Sequence, residues 1–301
     1  MLHKTTAKLA TMRTREIVHL VTLSPDMSKV HELRTKDTTE VLEFLSIRPV
    51  HTVVMSSFIN DNGIESDLNR GKFFGYRNGS GELEGVALIG HSTLVEARTD
   101  DSLKALAFKA RSAETPIHLV MSSGNDAERF WKYLSPGNKP RLACTEALFE
   151  VSFPFAVQQC EWEIKNAGVE HLLQVAEAQA EVAFMECGVD PMLKDREGFL
   201  KRVARRIDQK RVFIAMDGDK VVFKADIIAE TDDVIYLEGV YVSPEYRGRG
   251  IGSRCLSNLS LNLLSRAAHI CLLSNVDFKG AHKSFQAAGF RETDRCTTLF
   301  T

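Results

Sequence analysis

The sequence predicts an α+β protein with a mixed sheet, arranged in two halves that share one order of elements. Helical periodicity and strand-like alternation follow each other along the chain after a lead-in of about 36 residues. A glycine-rich turn at residues 247–252 separates a predicted strand from a predicted helix. At 301 residues the chain is long enough for two domains of ordinary size.

The first half begins with a mildly basic lead-in, residues 1–36, which we interpret as a solvated segment. Residues 37–156 then predict two helices, a hairpin with its turn at Asn78–Gly81, a helix, a strand, a helix and a strand. The pattern changes near residues 152–162, and we expect the second domain over residues 160–301.

The second half predicts the same kinds of element at greater length. Two helices and three strands lead into the glycine-rich turn. A helix from Ser253 to about Arg266, a strand, a helix and a final strand follow. The two halves show no common sequence period, so the likeness lies in the order of elements alone.

Composition excludes several classes of protein. A net charge of −2 gives no reason to expect nucleic acid or a membrane surface as a partner. No apolar stretch approaches the length of a membrane helix, and residues 1–36 lack the apolar core of a signal peptide. The six cysteines form no C-x-x-C pair, which indicates neither a zinc site nor a disulfide framework. We therefore expect no metal and a reducing, cytoplasmic location.

The glycine-rich turn is typical of an anion-binding site. Pro244 ends the preceding strand, and the helix that follows leaves its first N–H groups without partners. Glycines let an anion approach the main chain, and Arg247 and Arg249 add positive charge. The spacing fits neither a dinucleotide fingerprint, which needs glycine at Ser253, nor a nucleotide-triphosphate loop, which needs a lysine after its last glycine.

The pattern that does fit is R-x-x-G-x-G at residues 247–252, preceded by "EGVYVSPEY" and followed later by "AHKSFQAAGF". This combination resembles the GNAT superfamily of acetyl-CoA-dependent N-acetyltransferases, over residues 165–301. The resemblance implies a GNAT fold in the second half and acetyl-CoA as cosubstrate. The first half resembles the truncated, divergent GNAT-like domain that precedes some bacterial GNAT domains, and because it lacks the loop we expect no CoA there.

The resemblance also assigns residues. The turn amides would hold the pyrophosphate, and the strand at 237–242 would pair with the pantetheine arm. Asn275 would bind the same arm, and Phe285 stands where many members carry a tyrosine that protonates the leaving thiolate. The expected cofactor-binding residues are Val240, Tyr241, Val242, Arg247, Gly248, Arg249, Gly250, Ile251, Gly252, Ser253, Asn275 and Phe285.

Attack on a thioester requires a neutral amine, so a base must accept its proton. Glu238 is the expected catalytic residue, because it lies on the strand beside the thioester among apolar neighbours that should raise its pKa. The alternative is an edge-strand carboxylate in water or paired with arginine. Glu186 and Asp190 would line the acceptor pocket in the family layout, although solvated helix-end charges are the simpler interpretation.

We therefore expect an N-acetyltransferase that moves an acetyl group to a primary amine by direct attack in a ternary complex. The rival hypothesis is a non-catalytic acyl-CoA sensor, favoured by Phe285. The sequence leaves the acceptor open among amino acids, polyamines, aminoglycoside-like amines and protein N-termini. A small-molecule or peptide amine is the expected partner, and a homodimer is the default assembly.

Overall fold

The computed structural model describes residues 24–301, which form one continuous mixed sheet of twelve strands. The α+β class with a mixed sheet is as predicted. The strands are Val30–Glu32 (β1), Gly71–Arg77 (β2), Leu83–Gly90 (β3), Ser92–Ala97 (β4), Leu119–Ser123 (β5), Leu142–Val151 (β6), Lys165–Asn166 (β7), Val212–Asp217 (β8), Lys220–Glu230 (β9), Val234–Val242 (β10), His269–Asn275 (β11) and Arg291–Phe300 (β12). Their order across the sheet is β1-β2-β3-β4-β5-β12-β6-β11-β10-β9-β8-β7.

Helices cover both faces of this sheet. They are Thr38–Ser46 (α1), Pro49–Asn62 (α2), Asp100–Ala110 (α3), Asp126–Leu134 (α4), Leu172–Cys187 (α5), Pro191–Lys194 (α6), Arg196–Asp208 (α7), Ile251–Leu263 (α8) and Lys279–Ala287 (α9). No helix within residues 24–301 is long and apolar enough to cross a membrane.

In the first half, successive residues of β3 face opposite sides of the sheet, as the two-residue period of a strand requires. Val86 and Leu88 pack into the core formed with α1 and α2. Ala87 and Ile89 pack into the core formed with α3 and α4. The strand is therefore buried on both faces and anchors this part of the sheet.

Two features of the first half differ from the sequence-based expectation. Part of the predicted lead-in, residues 1–36, lies outside the described residues, but β1 within it pairs with β2. The predicted hairpin is followed by a third strand, because the chain reverses again at His91. Gly90 approaches the main chain of Gly71 so closely that no Cβ would fit, and Thr93 Oγ1 donates to the Gly90 carbonyl over 3.1 Å.

In the second half, β8, β9 and β10 form an antiparallel meander, and α8 connects β10 to the parallel strand β11. Helix α8 forms here because Ile251, Cys255, Leu259 and Leu263 recur on one face and are buried against the sheet. Helices α5 and α7 cover the other face of the meander around Val203.

The two halves exchange strands at the centre of the sheet. β6, which precedes the linker, pairs antiparallel with β11 from Ile270↔Val151 to Asn275↔Glu146. β12, the last strand of the chain, lies between β5 and β6. Because of this exchange, residues from both halves meet beside β11.

Candidate functional site

The glycine-rich turn connects β10 to α8 and leaves the first amides of that helix at the surface. Gly248 and Gly250 have φ angles of +75° and +72°, the left-handed region that favours glycine. The space where a Cβ of Gly248 would stand is open. Ser253 Oγ donates to the Gly250 carbonyl over 2.9 Å and closes the first turn. The geometry fits an anion held by main-chain amides.

The two arginines of the turn play different roles. Arg247 donates from Nε to the Val242 carbonyl over 2.8 Å, and its Nη2 lies 2.8 Å from Glu181 Oε1. It therefore ties the turn to β10 and α5. Arg249 is exposed and lies over the ring of Tyr246, with 5.9 Å to the centroid. Its guanidinium faces solvent beside the exposed amides.

Strands β10 and β11 part in the middle of the sheet. Their parallel pairing runs from Val234↔His269 to Leu237↔Leu272. Beyond Leu237, β10 contains a bulge, in which Gly239 and Val240 lie opposite the single residue Ala225. Gly239 has a φ of +59°, so the bulge depends on glycine. The result is a gap between the two strands, open from Glu238 onward.

A buried charged group lies under this bulge. Lys224 is completely buried, and its Nζ lies 2.8 Å from Asp226 Oδ1, 2.5 Å from Gln179 Oε1 and 3.3 Å from the Gly239 carbonyl. Asp226 is also paired with Arg206 over 3.3 Å. Burial lowers the pKa of Lys224, and the Asp226 carboxylate opposes that shift. The ammonium group holds the bulge in place through the carbonyl.

A cleft of about 1230 Å³, counted to its open mouth, lies where the strands part. Helices and strands from both halves line it: α2, β4, β5, β6, α5, β9, β10, β11 and β12. Its walls are largely apolar, and the apolar side chains include those of Val54, Phe58, Leu94, Met121, Leu273 and Phe300. Its lining within residues 24–301 contains carboxylates but no Lys, Arg or His.

Three carboxylates face this cleft: Glu238, Glu186 and Glu146. Glu238 Oε1 accepts a hydrogen bond of 3.1 Å from the hydroxyl of Tyr236, which is buried. Glu186 lies at the solvent-accessible end of α5, yet the surrounding protein and then the charges of Glu238 and Glu146 raise its pKa to about 7.

The third carboxylate, Glu146, belongs to β6. It accepts a hydrogen bond from the Thr298 hydroxyl. Burial and the charge of Glu238 raise its pKa, and the hydroxyl works against that shift. The effect of the Glu238 charge on the pKa values of Glu146 and Glu186 follows from the closeness of the three groups in one cleft.

The remaining predicted site residues lie around the gap. Val240 and Val242 pack against the core under α8. The Tyr241 hydroxyl donates to Glu181 over 2.9 Å, and burial followed by this carboxylate raises its pKa to about 12. Asn275 lines the cleft, and its Oδ1 accepts from the Asp277 N–H. Phe285 is buried against Phe149, with 5.5 Å between ring centroids.

Two other acidic residues, Asp190 and Asp226, have structural partners. Asp190 caps α6 by accepting from the Met192 N–H over 2.8 Å, and Asp226 is buried with Lys224. Sequence reasoning missed Glu146, because its strand belongs to the first half by sequence and to the centre of the sheet by pairing. No local signal in the chain marks that exchange.

Metal binding finds no support in the described part of the chain. Across residues 24–301, no group of three or more His, Cys, Asp or Glu side chains is placed to hold a metal ion. All six cysteines are free thiols. The sulfur atoms of Cys160 and Cys255 lie 3.5 Å apart and form no disulfide bond.

Comparison with known proteins agrees with this geometry. Residues 208–292 match the family model described as an acetyltransferase (GNAT) domain. No curated protein sequence matches the chain.

Three similar solved structures cover most of the chain. An acetyltransferase from the GNAT family of Colwellia psychrerythraea is 15% identical, with a TM-score of 0.55, over 91% of this chain and 100% of that one. A GCN5-related N-acetyltransferase from Sphaerobacter thermophilus is 13% identical, with a TM-score of 0.58, over 89% and 93%. A tandem GNAT protein from the clavulanic acid biosynthesis pathway is 13% identical, with a TM-score of 0.56, over 90% and 98%. At these low identities, the structural similarity establishes a shared fold alone.

Proposed function

We propose that this protein, whose residues 208–292 match an acetyltransferase (GNAT) domain and whose fold is shared with GNAT proteins, transfers the acetyl group of acetyl-CoA to a primary amine. The amine attacks directly while both substrates are bound. The observation that carries this proposal is the meeting of three features at one place. Glu238 lines the carboxylate-bearing cleft, the stretch of β10 that begins with it is parted from β11, and the glycine-rich turn follows that stretch.

The residues around the gap fit acetyl-CoA. The amides from Gly248 to Ser253, at the start of α8, would hold the pyrophosphate, each charge-assisted hydrogen bond contributing about 1.5–3 kcal/mol. The main chain of Val240 and Val242, beyond its pairing with β11, offers hydrogen bonds to the pantetheine arm. Acetyl-CoA supplies an acyl group activated as a thioester. Asn275 lies at the opposite strand end, beside the cleft.

Glu238 is the proposed base. Tyr236 donates to its Oε1, which leaves Oε2 to accept a proton from the amine, directly or through one water molecule. Phe285 has no proton to give, so the leaving thiolate takes its proton from water or from another group. Phe285 is buried and packs against Phe149, so it contributes to the hydrophobic core.

Replacing Glu238 tests this role. Glu238→Gln keeps the size of the side chain and cannot accept a proton, so kcat should fall by about 10²–10⁴-fold. Acetyl-CoA affinity, measured by calorimetry, should stay nearly unchanged. Log kcat/KM of the unmodified enzyme should rise with pH through two ionisations, the base and the amine, and the variant should lose one.

The matched control is Glu230→Gln. Glu230 also lies in the meander but pairs with Arg266 over 3.0 Å and does not line the cleft. Full turnover by the Glu238 variant on a true acceptor would mean that Glu238 has only a structural role in the sheet. The proton would then be removed by Glu186, Asp190, Asp226 or bulk water.

The rival function is an acyl-CoA sensor without turnover, and Phe285 in place of a hydroxyl-bearing residue favours it. Release of free CoA thiol with a panel of amines separates the two functions. Binding of acetyl-CoA with no thiol release on every amine would favour the sensor.

We propose the cytoplasm as the site of action. All six cysteines are free thiols, which suits a reducing compartment. Fractionation of cells that express the full chain is the direct test.

A further inference from the structure

The lining of the cleft specifies the charge and shape of the acceptor. We propose that the acceptor is a diamine, in which an apolar chain joins the reacting amine to a second cationic nitrogen. The proposal rests on the proposed function, because it concerns the same cleft.

The carboxylates exceed what proton transfer needs. Glu238 is placed to act as the base, whereas Glu146 and Glu186 approach the same space from β6 and α5. Glu146 lies opposite Asn275 in the pairing of β6 with β11, so only β11 separates its strand from the gap. One base requires one carboxylate. The other two match a second positive charge on the bound molecule.

The walls between these carboxylates are apolar. Phe58, Leu94, Met121, Leu273 and Phe300 present methyl, thioether and aromatic surface to the cleft. A methylene chain gains from leaving water against such walls, whereas a sugar-like or peptide-like chain would lose hydrogen bonds there. The apolar lining therefore favours an aliphatic or aryl-alkyl spacer between the two nitrogens.

No cation is available for an acidic substrate. The cleft lining within residues 24–301 includes no Lys, Arg or His. Lys224 lies nearby but is completely buried and engaged with Asp226 and Gln179. A carboxylate or phosphate on the acceptor would face the three glutamates without a partner, which is unfavourable in a partly desolvated site. Free amino acids are thereby disfavoured.

The test compares three matched series with the full chain and acetyl-CoA: α,ω-diamines, n-alkylamines and ω-amino carboxylates of equal chain length. Thiol release gives kcat/KM for each compound. The diamine should exceed the alkylamine of the same length by about 10- to 100-fold, the contribution of one charge-assisted contact. The amino carboxylate should be the poorest substrate of the three.

Glu146→Gln sharpens the test, because it removes one of the two carboxylates assigned to the second nitrogen. The ratio of kcat/KM for diamine to that for alkylamine should fall toward one. An unchanged ratio in Glu146→Gln and in Glu186→Gln alike would overturn the assignment, as would equal rates for diamines and alkylamines in the unmodified enzyme.

Failure of the two proposals gives different results. No thiol release with any amine, although acetyl-CoA binds, would defeat the proposed function itself. Turnover that prefers ω-amino carboxylates would leave acetyl transfer standing and overturn the diamine.

Discussion

Replacing Lys224, whose ammonium group is buried, tests whether its ion pair stabilises the protein and holds the β10 bulge in place. Its Nζ lies 2.8 Å from Asp226 Oδ1 and 3.3 Å from the carbonyl of Gly239, the bulge residue of β10. Replacing Lys224 with methionine keeps the length of the side chain and removes the charge. Asp226, which is 3% exposed, would then keep only its 3.3 Å contact with Arg206.

The expected loss follows from that isolation. Removing one partner of a buried ion pair typically costs about 3–5 kcal/mol, because the other charge stays buried without compensation. Urea unfolding should show that decrease in the free energy of unfolding for Lys224→Met. The loss of the hydrogen bond to Gly239 should also shift the bulge, and a displacement of about 1 Å near the reacting atoms can lower kcat by about 10²-fold.

Two further variants separate the causes. Lys220→Met, on the same strand, removes an ammonium group that is 70% exposed and paired with Glu245, so its cost should stay below about 1 kcal/mol. Adding Asp226→Leu to Lys224→Met removes the stranded charge and should restore most of the stability while kcat stays low. If Lys224→Met alone were as stable and as active as the unmodified protein, the buried ion pair and its link to the bulge would be refuted.

Two other predictions concern cosubstrate and acceptor. Gly250→Val should abolish acetyl-CoA binding, which calorimetry should otherwise give as one site per chain, because a β-branched residue resists a φ of +72° and fills the cradle. Gly81→Val imposes similar strain at a φ of +87° in a distant turn and should leave binding intact, so equal losses in both variants would contradict the cradle. The pKa of Glu186, about 7 beside Glu238, Glu146 and Lys224, means that the carboxyl is protonated below that pH and ionised above it. KM for a cationic acceptor should therefore fall as pH rises through about 7, and Glu186→Gln should lack that step.

Local patterns were sufficient for most elements and for the turn. The period of α8 and the alternation along β9 are short-range features that each segment carries by itself. The same holds for the R-x-x-G-x-G turn, since its glycines are needed for the φ values of Gly248 and Gly250. These parts of the prediction needed no information from elsewhere in the chain.

Strand pairing across the two halves lay beyond such reasoning. β6 and β12 each present an ordinary strand pattern, and nothing in either segment specifies its neighbours. The structure places β12 between β5 and β6 and pairs β6 with β11. Glu146 consequently enters the cleft from a strand that the sequence assigns to the other half. The sequence did not show the closeness of Glu186 to Glu238 and Glu146 for a related reason, since the surroundings of a helix-end charge are set only in the folded chain.

The strand exchange gives the first half a place in the chemistry, although it carries no glycine-rich turn. Without β6, the edge of β11 that faces away from the gap would have unpaired main-chain groups, and β12 would lose its longer partner. Without α2 and β4, the cleft would lack the wall formed by Phe58 and Leu94. The second half therefore supplies the turn, the gap and Glu238, while the first half closes the space in which an amine must lose water before it reacts. Under the proposed function, a cleft built in this way would select its acceptor through both halves and bind its cosubstrate through the second half.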